Sequence, residues 1–428
     1  MRIINYLNNY KKKKFFIVKK KSLSLLDKWN YNKNYIQHIS KKFFQIHGFK
    51  IKSNFYKKKN WDQPLIVQKE LGILGIIKKK VNNEYKYLLQ IKMEPGNINK
   101  CQLSPTVQAT KSNYTKVHKG KDIPYLIFFF NNKKIKEVFK IKQTEQGLRY
   151  YNKKNYNVLL DDTKKIIKRL PNFYWINKNE LKYLISKNNI INMDTLSVFS
   201  CAINKKKDDF PINKIGIIFN FINNKKKKYF TNVKKISLYK LKNWTLTNDT
   251  IINNKKNYFS IIGLSIRNNS REINKWDQPI IAQENLAFAG FVTKIFNETL
   301  HYLVSFDIKP GLKKSYLSCT VRTSDFVNYK TNQDLINFKK NIINQNFINK
   351  KDGKLLYKAI QSDEGGRFYK SRICYSVFQF SNNYNLKIPI NYIWISHNQM
   401  ISLIKNKYFD IEARILFACF NLYNENID

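Results

Sequence analysis

Apolar and polar positions alternate with period two over long stretches of this 428-residue chain, the spacing of half-buried strands. Glu84-Tyr-Lys-Tyr-Leu-Leu-Gln-Ile-Lys-Met93 sets an aromatic or aliphatic side chain at every second position, and Leu300-His-Tyr-Leu-Val-Ser-Phe306 reads the same way. Asn82-Asn83 and Asn297 fall where hairpin turns belong. Met93-Glu-Pro-Gly96 and Lys309-Pro-Gly311 supply turn chemistry at the strand ends. The spacing becomes helical at Leu181, Leu184 and Ile185, and again at Met400, Leu403 and Ile404. Strands that close on a terminal helix predict an α+β fold. No window approaches the roughly 18 consecutive apolar residues of a membrane span, so a soluble protein is expected.

The same pattern occurs twice. Trp61-Asp-Gln-Pro-Leu-Ile-Val-Gln68 returns 215 residues later as Trp276-Asp-Gln-Pro-Ile-Ile-Ala-Gln283. Similar offsets pair Trp29 with Trp244, Gly48 with Gly263, Gly75 with Gly290, and Pro95-Gly96 with Pro310-Gly311. They also pair Gln143-Thr-Glu-Gln-Gly-Leu-Arg149 with Gln361-Ser-Asp-Glu-Gly-Gly-Arg367. A period this long means two whole domains rather than a solenoid. The boundaries read as 20–205 for the first copy and 236–428 for the second. Residues 206–235 form a lysine-rich linker around Ile215-Gly-Ile-Ile-Phe-Asn-Phe-Ile222, an apolar stretch expected to dock on one copy as a strand or short helix.

Composition changes this picture in one respect. A net charge of +50, from 79 Lys plus Arg against 29 Asp plus Glu, first suggests nucleic-acid binding. Only nine of those cations are Arg, however, and Asn and Ile are abundant while Gly is scarce. That is the mark of an AT-rich genome rather than of a surface selected for the bidentate forks that grip phosphate. No specific nucleic-acid partner is expected. The basic N-terminus, Lys11-Lys-Lys-Lys-Phe-Phe-Ile-Val18, lacks the Arg/Ser richness of a transit peptide. Cys101, Cys201, Cys319, Cys374 and Cys419 are isolated and odd in number, which fits a reducing cytoplasm and neither a disulfide framework nor structural zinc.

Candidate chemistry concentrates on turns beside strands. The run Gln102 to His118 offers hydroxyls, amides, a phenol, a lysine and an imidazole along one strand and loop. The Glu145…Arg149 and Glu364…Arg367 clusters read either as diphosphate clamps, with Gly admitting the backbone and Arg supplying the fork, or as structural acid–Arg pairs. Trp61, Trp276, Trp175 and Trp394 read first as core and second as stacking surfaces. The five histidines show no metal spacing, and dinucleotide, P-loop and nucleophile-elbow motifs are absent from the sequence.

These residues carry a resemblance. In the first copy they are Trp61-Asp-Gln-Pro64, Glu70-Leu-Gly-Ile-Leu-Gly75, Lys92-Met-Glu-Pro-Gly-Asn97, the run Gln102 to His118, Glu145-Gln-Gly147 with Arg149, and Asn192-Met-Asp-Thr195. In the second they are Arg271-Glu-Ile-Asn-Lys-Trp-Asp-Gln-Pro279, His301-Tyr-Leu-Val304 and Glu364-Gly-Gly-Arg-Phe-Tyr369. Together they resemble the NDP-hexose 2,3-dehydratases of deoxysugar biosynthesis across essentially the whole chain.

The resemblance implies a tandem of two Nudix-like α+β domains without a Nudix catalytic box, a homodimer, and no cofactor or metal. It implies a dTDP-4-keto-6-deoxyhexose substrate and a separate 3-ketoreductase downstream. Its catalytic candidates are His118 or Glu145 for proton transfer, with Tyr114, Thr106 or Gln108 as donors. Lys92, Lys111 and Arg149 are the phosphate candidates, and Trp61, Gln68 and Glu94 complete the first copy's substrate-binding set. The second copy's set is Gln283, Thr320, Glu364, Arg367 and Tyr369. Because the second copy carries Ser318-Cys-Thr-Val-Arg322 and Lys309 where the first carries Ser104-Pro-Thr-Val-Gln108 and Glu94, the first copy is expected to keep the better polar site.

Overall fold

In the computed structural model, the described residues are 2–56, 59–110, 122–130, 135–254, 259–283, 285–322, 353–383 and 386–427. They form a mixed α+β fold of four sheets with few helices. The helices are α1 (Arg2–Lys13), α2 (Lys178–Ile185), α3 (Met193–Phe199), α4 (Ile215–Lys228), α5 (His397–Lys405) and α6 (Ile411–Tyr423). None is long and apolar enough to cross a membrane.

Two sheets share one strand order. Trp29–Tyr31, Tyr35–His38, Gln45–Ser53, Asn60–Val67 and Tyr150–Tyr151 are matched by Trp244–Leu246, Thr250–Asn253, Ser260–Asn268, Lys275–Ala282 and Phe368–Tyr369. The registers agree as well: Gly48 faces Pro64 as Gly263 faces Pro279, and Tyr150 pairs with Ile66 as Phe368 pairs with Ile281. The other two sheets are built on the hairpins Gly72–Val81/Glu84–Met93 and Ala287–Phe296/Thr299–Asp307. Their turns hold Asn82, Asn83, Asn297 and Glu298 at positive φ, the geometry of the tight hairpin turn that Asn tolerates.

The halves are interlocked. Strand Phe16–Lys21 leaves its own half to pair with Ser260–Asn268, and Thr231–Ile236 pairs with Gln45–Ser53 in return. Residues 206–235 thus contain α4 and one of the exchanged strands, at positions that correspond to α1 and Phe16–Lys21 of the first half.

The Trp-Asp-Gln-Pro motif secures this exchange. Asp277 accepts from Lys21 Nζ at 2.6 Å and from the Asp27 amide, while its carbonyl accepts from the Trp29 indole. Asp62 does the same for the Lys242 amide and the Trp244 indole. Within each motif the indole donates to the glutamine two residues on, Trp61 to Gln63 and Trp276 to Gln278.

One apolar core runs through both halves. Buried faces of α1, α2, α3, α4 and α6 meet the sheets around Tyr87, Phe199, Tyr302 and Phe417. Helix α6 is buried along nearly its whole length, and its Arg414 is fully enclosed, donating to Ser197, Ser200 and the Thr144 carbonyl. All five cysteines are buried and free.

Candidate active site

The two halves clasp each other through reciprocal turns. The Gly96 amide donates to the Gly365 carbonyl, and the Gly311 amide to that of Gly147, both at 2.7 Å. A Cβ on Gly96 would stand 1.8 Å from the Phe368 carbonyl oxygen, and one on Gly311 1.7 Å from that of Tyr150. Only glycine permits this approach. The clasp carries the turn after Asp363 against the first half, and beside it lies a cavity of about 560 Å³ lined from both halves.

One wall is a hydrogen-bonded chain. Strand Glu84–Met93 presents Lys92, whose ammonium donates to Gln108 Oε1 at 2.6 Å and pairs with Glu94 at 3.3 Å. Gln108 donates onward to Asp194 Oδ2 at 2.6 Å. Asn192 caps α3 by accepting from the Asp194 amide and donates its own side-chain amide to Glu94. The opposite wall holds Tyr150, whose hydroxyl donates to Glu364 at 3.0 Å, and Lys153, anchored on the Glu70 carbonyl at 2.6 Å. From the second half, Arg271 bonds the Met93 carbonyl and pairs with Glu272. Arg367 lies over the Phe44 ring at 4.2 Å and joins no ion pair among the described residues.

Burial sets the electrostatics. The Asp194 carboxyl is pushed well above the usual carboxylate range, first by loss of solvent and then by Glu364, Glu145 and Glu94 nearby. Glu364 is raised by burial and by Glu94, against the pull of Arg367. Lys153 is lowered to about 8 by burial, with Glu145 and Glu364 opposing. Burial and like charge both work against ionising all of these carboxyls together, which suits the cluster to proton transfer.

Of the residues named from sequence, Gln68, Lys92, Glu94, Gln108, Glu364 and Arg367 line this cavity. Others do different work. Trp61 is buried in a satellite core. Thr106 and Thr320 are matching structural staples that donate to the Leu88 and Leu303 carbonyls and accept from the Ile77 and Val292 amides. Arg149 pairs with Asp363 at 2.5 Å and donates to Gln283, a pairing across the halves rather than with Glu145 of its own cluster. Glu145 lies behind the wall, accepting from Asn155, and burial raises its carboxyl to about 7. Tyr369 packs with Trp276 in another satellite cluster. Lys111, Tyr114 and His118 lie outside the described residues.

Sequence reasoning missed Tyr150 and Lys153 and left Asp194 and Arg271 without a role. Comparing the copies position by position points to the first two, since Phe368 and Ser371 stand at their counterparts. The counterpart of the first wall is charge-altered and ion-paired. Lys309 bridges Asp410 at 2.8 Å and Glu412, while Arg322 bridges Asp307 at 2.7 Å and Asp410 at 3.5 Å. No group of three or more His, Cys, Asp or Glu among the described residues is placed to hold a metal ion.

The NDP-hexose 2,3-dehydratase family profile matches residues 1–202 and 217–420. A dTDP-4-dehydro-6-deoxy-alpha-D-glucopyranose 2,3-dehydratase of Saccharopolyspora spinosa is 28% identical over 421 residues, covering 92% of this chain and 85% of its own. One from Amycolatopsis orientalis is 29% identical over 409 residues, covering 92% and 84%. Among solved structures, an ADP compounds hydrolase aligns over 32% of this chain and 69% of its own at 11% identity; its TM-score of 0.20 carries no argument about the fold. With the profile matching both halves, the chain belongs to the NDP-hexose 2,3-dehydratase family.

Proposed function

We propose that the cavity lined from both halves dehydrates dTDP-4-keto-6-deoxyglucose to the 3,4-diketo-2,6-dideoxy sugar. The observation that carries this reading is the meeting in one cavity of Asp194, whose carboxyl burial pushes well above the usual range, with Glu364 and Lys153. The C4 carbonyl acidifies the C3 hydrogen. Glu364, oriented by Tyr150, takes that proton, and the Lys153 ammonium holds the negative charge that develops on the C4 oxygen. Electrons return from the enolate to form the C2–C3 double bond as the C2 hydroxyl leaves, protonated by Asp194, as water. The resulting enol gives up its C3 hydroxyl proton and takes one at C2, becoming the 3-ketone. Arg367, which joins no ion pair among the described residues, is the diphosphate anchor.

The second half supplies Arg271, Glu364 and Arg367 to this cavity, while its own counterpart holds the Lys309 ion network. We read the halves as a tandem duplication of one α+β unit, Nudix-like by resemblance, on the strength of their shared strand order and registers. The same family resemblance suggests a homodimer whose diketone passes to a 3-ketoreductase.

The test incubates the purified protein with dTDP-4-keto-6-deoxyglucose, a 3-ketoreductase and NADPH, because the diketone is unstable. Protein-dependent loss of one water, seen by mass, is the expected result. Binding of dTDP without water loss would overturn the reading in favour of a sugar-nucleotide-binding protein that has lost catalysis.

A further inference from the structure

Arg414 is fully buried and joins no ion pair among the described residues, a costly place for a cation. It belongs to α6 of the second half, yet its guanidinium bonds only first-half groups. These are the Ser197 hydroxyl at 3.0 Å, the Ser200 hydroxyl at 3.3 Å and the Thr144 carbonyl at 2.9 Å. The two serines lie at the end of α3, whose first turn carries Asp194. Thr144 ends the strand Lys136–Thr144, and the next residue is Glu145. The Glu145 amide donates to the Lys153 carbonyl at 3.1 Å, and its Oε1 accepts from Asn155 at 2.7 Å. Arg414 thus reaches from the second half to the turn directly behind Lys153.

The second half lacks this arrangement. Its matching acid, Asp363, makes the same amide bond, to the Ser371 carbonyl at 3.1 Å, but is paired directly with Arg149 at 2.5 Å. Asn192 and Asp410 cap matching helices, so Leu196 stands where Arg414 does and brings no charge. Glu145 joins no ion pair among the described residues, and its Oε2 has no hydrogen-bond partner there. It faces Lys153 and Tyr150 of its own half, Asp194 of α3, Glu364 of the second-half turn and Arg414 of α6. Burial and Glu364 disfavour its charge, whereas Arg414 and Lys153 favour it. Lys153 also faces Glu364, Arg367 and Glu70, and an ionised Glu145 supports its ammonium. On its other sides Arg414 faces Cys201, Tyr316, Asp410 and Glu412.

We propose that Arg414 is a positioning residue for Lys153, through which the second half holds Glu145 as the fixed counter-ion of that ammonium. Its consequence for turnover rests on the dehydratase reading, but its test needs no turnover, so failures of the two are distinguishable. The full chain, labelled with carbon-13 at the glutamate carboxyl and the lysine Cε, is titrated by NMR. Glu145 and Lys153 are identified by the signals lost in Glu145→Gln and Lys153→Arg. Midpoints of about 7 and about 8 are expected in the unsubstituted protein. Arg414→Gln keeps an N–H donor without the charge; it should raise the Glu145 midpoint by about one unit and lower that of Lys153. Arg414→Lys, which keeps the charge, should restore both. A merely structural role would leave both midpoints in place in Arg414→Gln, and that result would overturn the proposal. If Arg414→Gln does not fold, Glu145→Gln decides: its Lys153 midpoint should fall below about 8, and an unmoved one would overturn the proposal equally.

Discussion

Lys153 is 3% exposed, and its ammonium is held against loss of solvent by the Glu70 carbonyl and by the charges of Glu145 and Glu364. Its pKa of about 8 fixes the sign of a pH effect. Below that value it is charged and can stabilise an oxyanion; above it the charge is lost. Turnover should therefore fall as pH rises through about 8. Lys153→Arg, which stays protonated, should move that alkaline limb upward even if the rate drops. Matching pH–rate profiles for the two proteins would deny Lys153 this role. Side-chain type was legible at this scale and direction was not. Thr106 and Gln108 are two residues apart in one polar run, yet Thr106 satisfies the backbone while Gln108 enters the cavity. Their partners, Leu88 and Asp194, lie on other elements.

Among elements, the hairpins and closing helices could be read because turn chemistry and periodicity are local. Asn82-Asn83 and the Leu181/Leu184/Ile185 stripe are where the pattern put them. The exchanged strands could not be read, since Phe16–Lys21 and Thr231–Ile236 are lysine-rich and owe their pairing to distant partners. The ion-paired counterpart of the active wall invites a stability test. Lys309 is 1% exposed between Asp410 and Glu412, so Lys309→Met takes the cation from Glu412 and leaves the buried Asp410 only Arg322, at 3.5 Å. Breaking such a buried pair costs about 3–5 kcal/mol, to be measured as a lower urea midpoint. An unchanged midpoint would show that the network is not needed to balance those charges.

For the molecule as a whole, the duplication stood out in the sequence because tryptophans, glycines and prolines recur at a nearly constant offset. The way each half completes the other was hidden. The Gly96–Gly365 contact, which carries Glu364 to Tyr150, joins turns far apart in the chain. The central claim is that one cavity removes the C3 proton and expels the C2 hydroxyl through different groups. Asp194→Asn, incubated with dTDP-4-keto-6-deoxyglucose in deuterated buffer, separates those steps. Deuterium is expected to wash into C3 while the C2 hydroxyl stays, with water loss reduced at least about a hundredfold. Water loss at the rate of the unsubstituted protein would contradict the account.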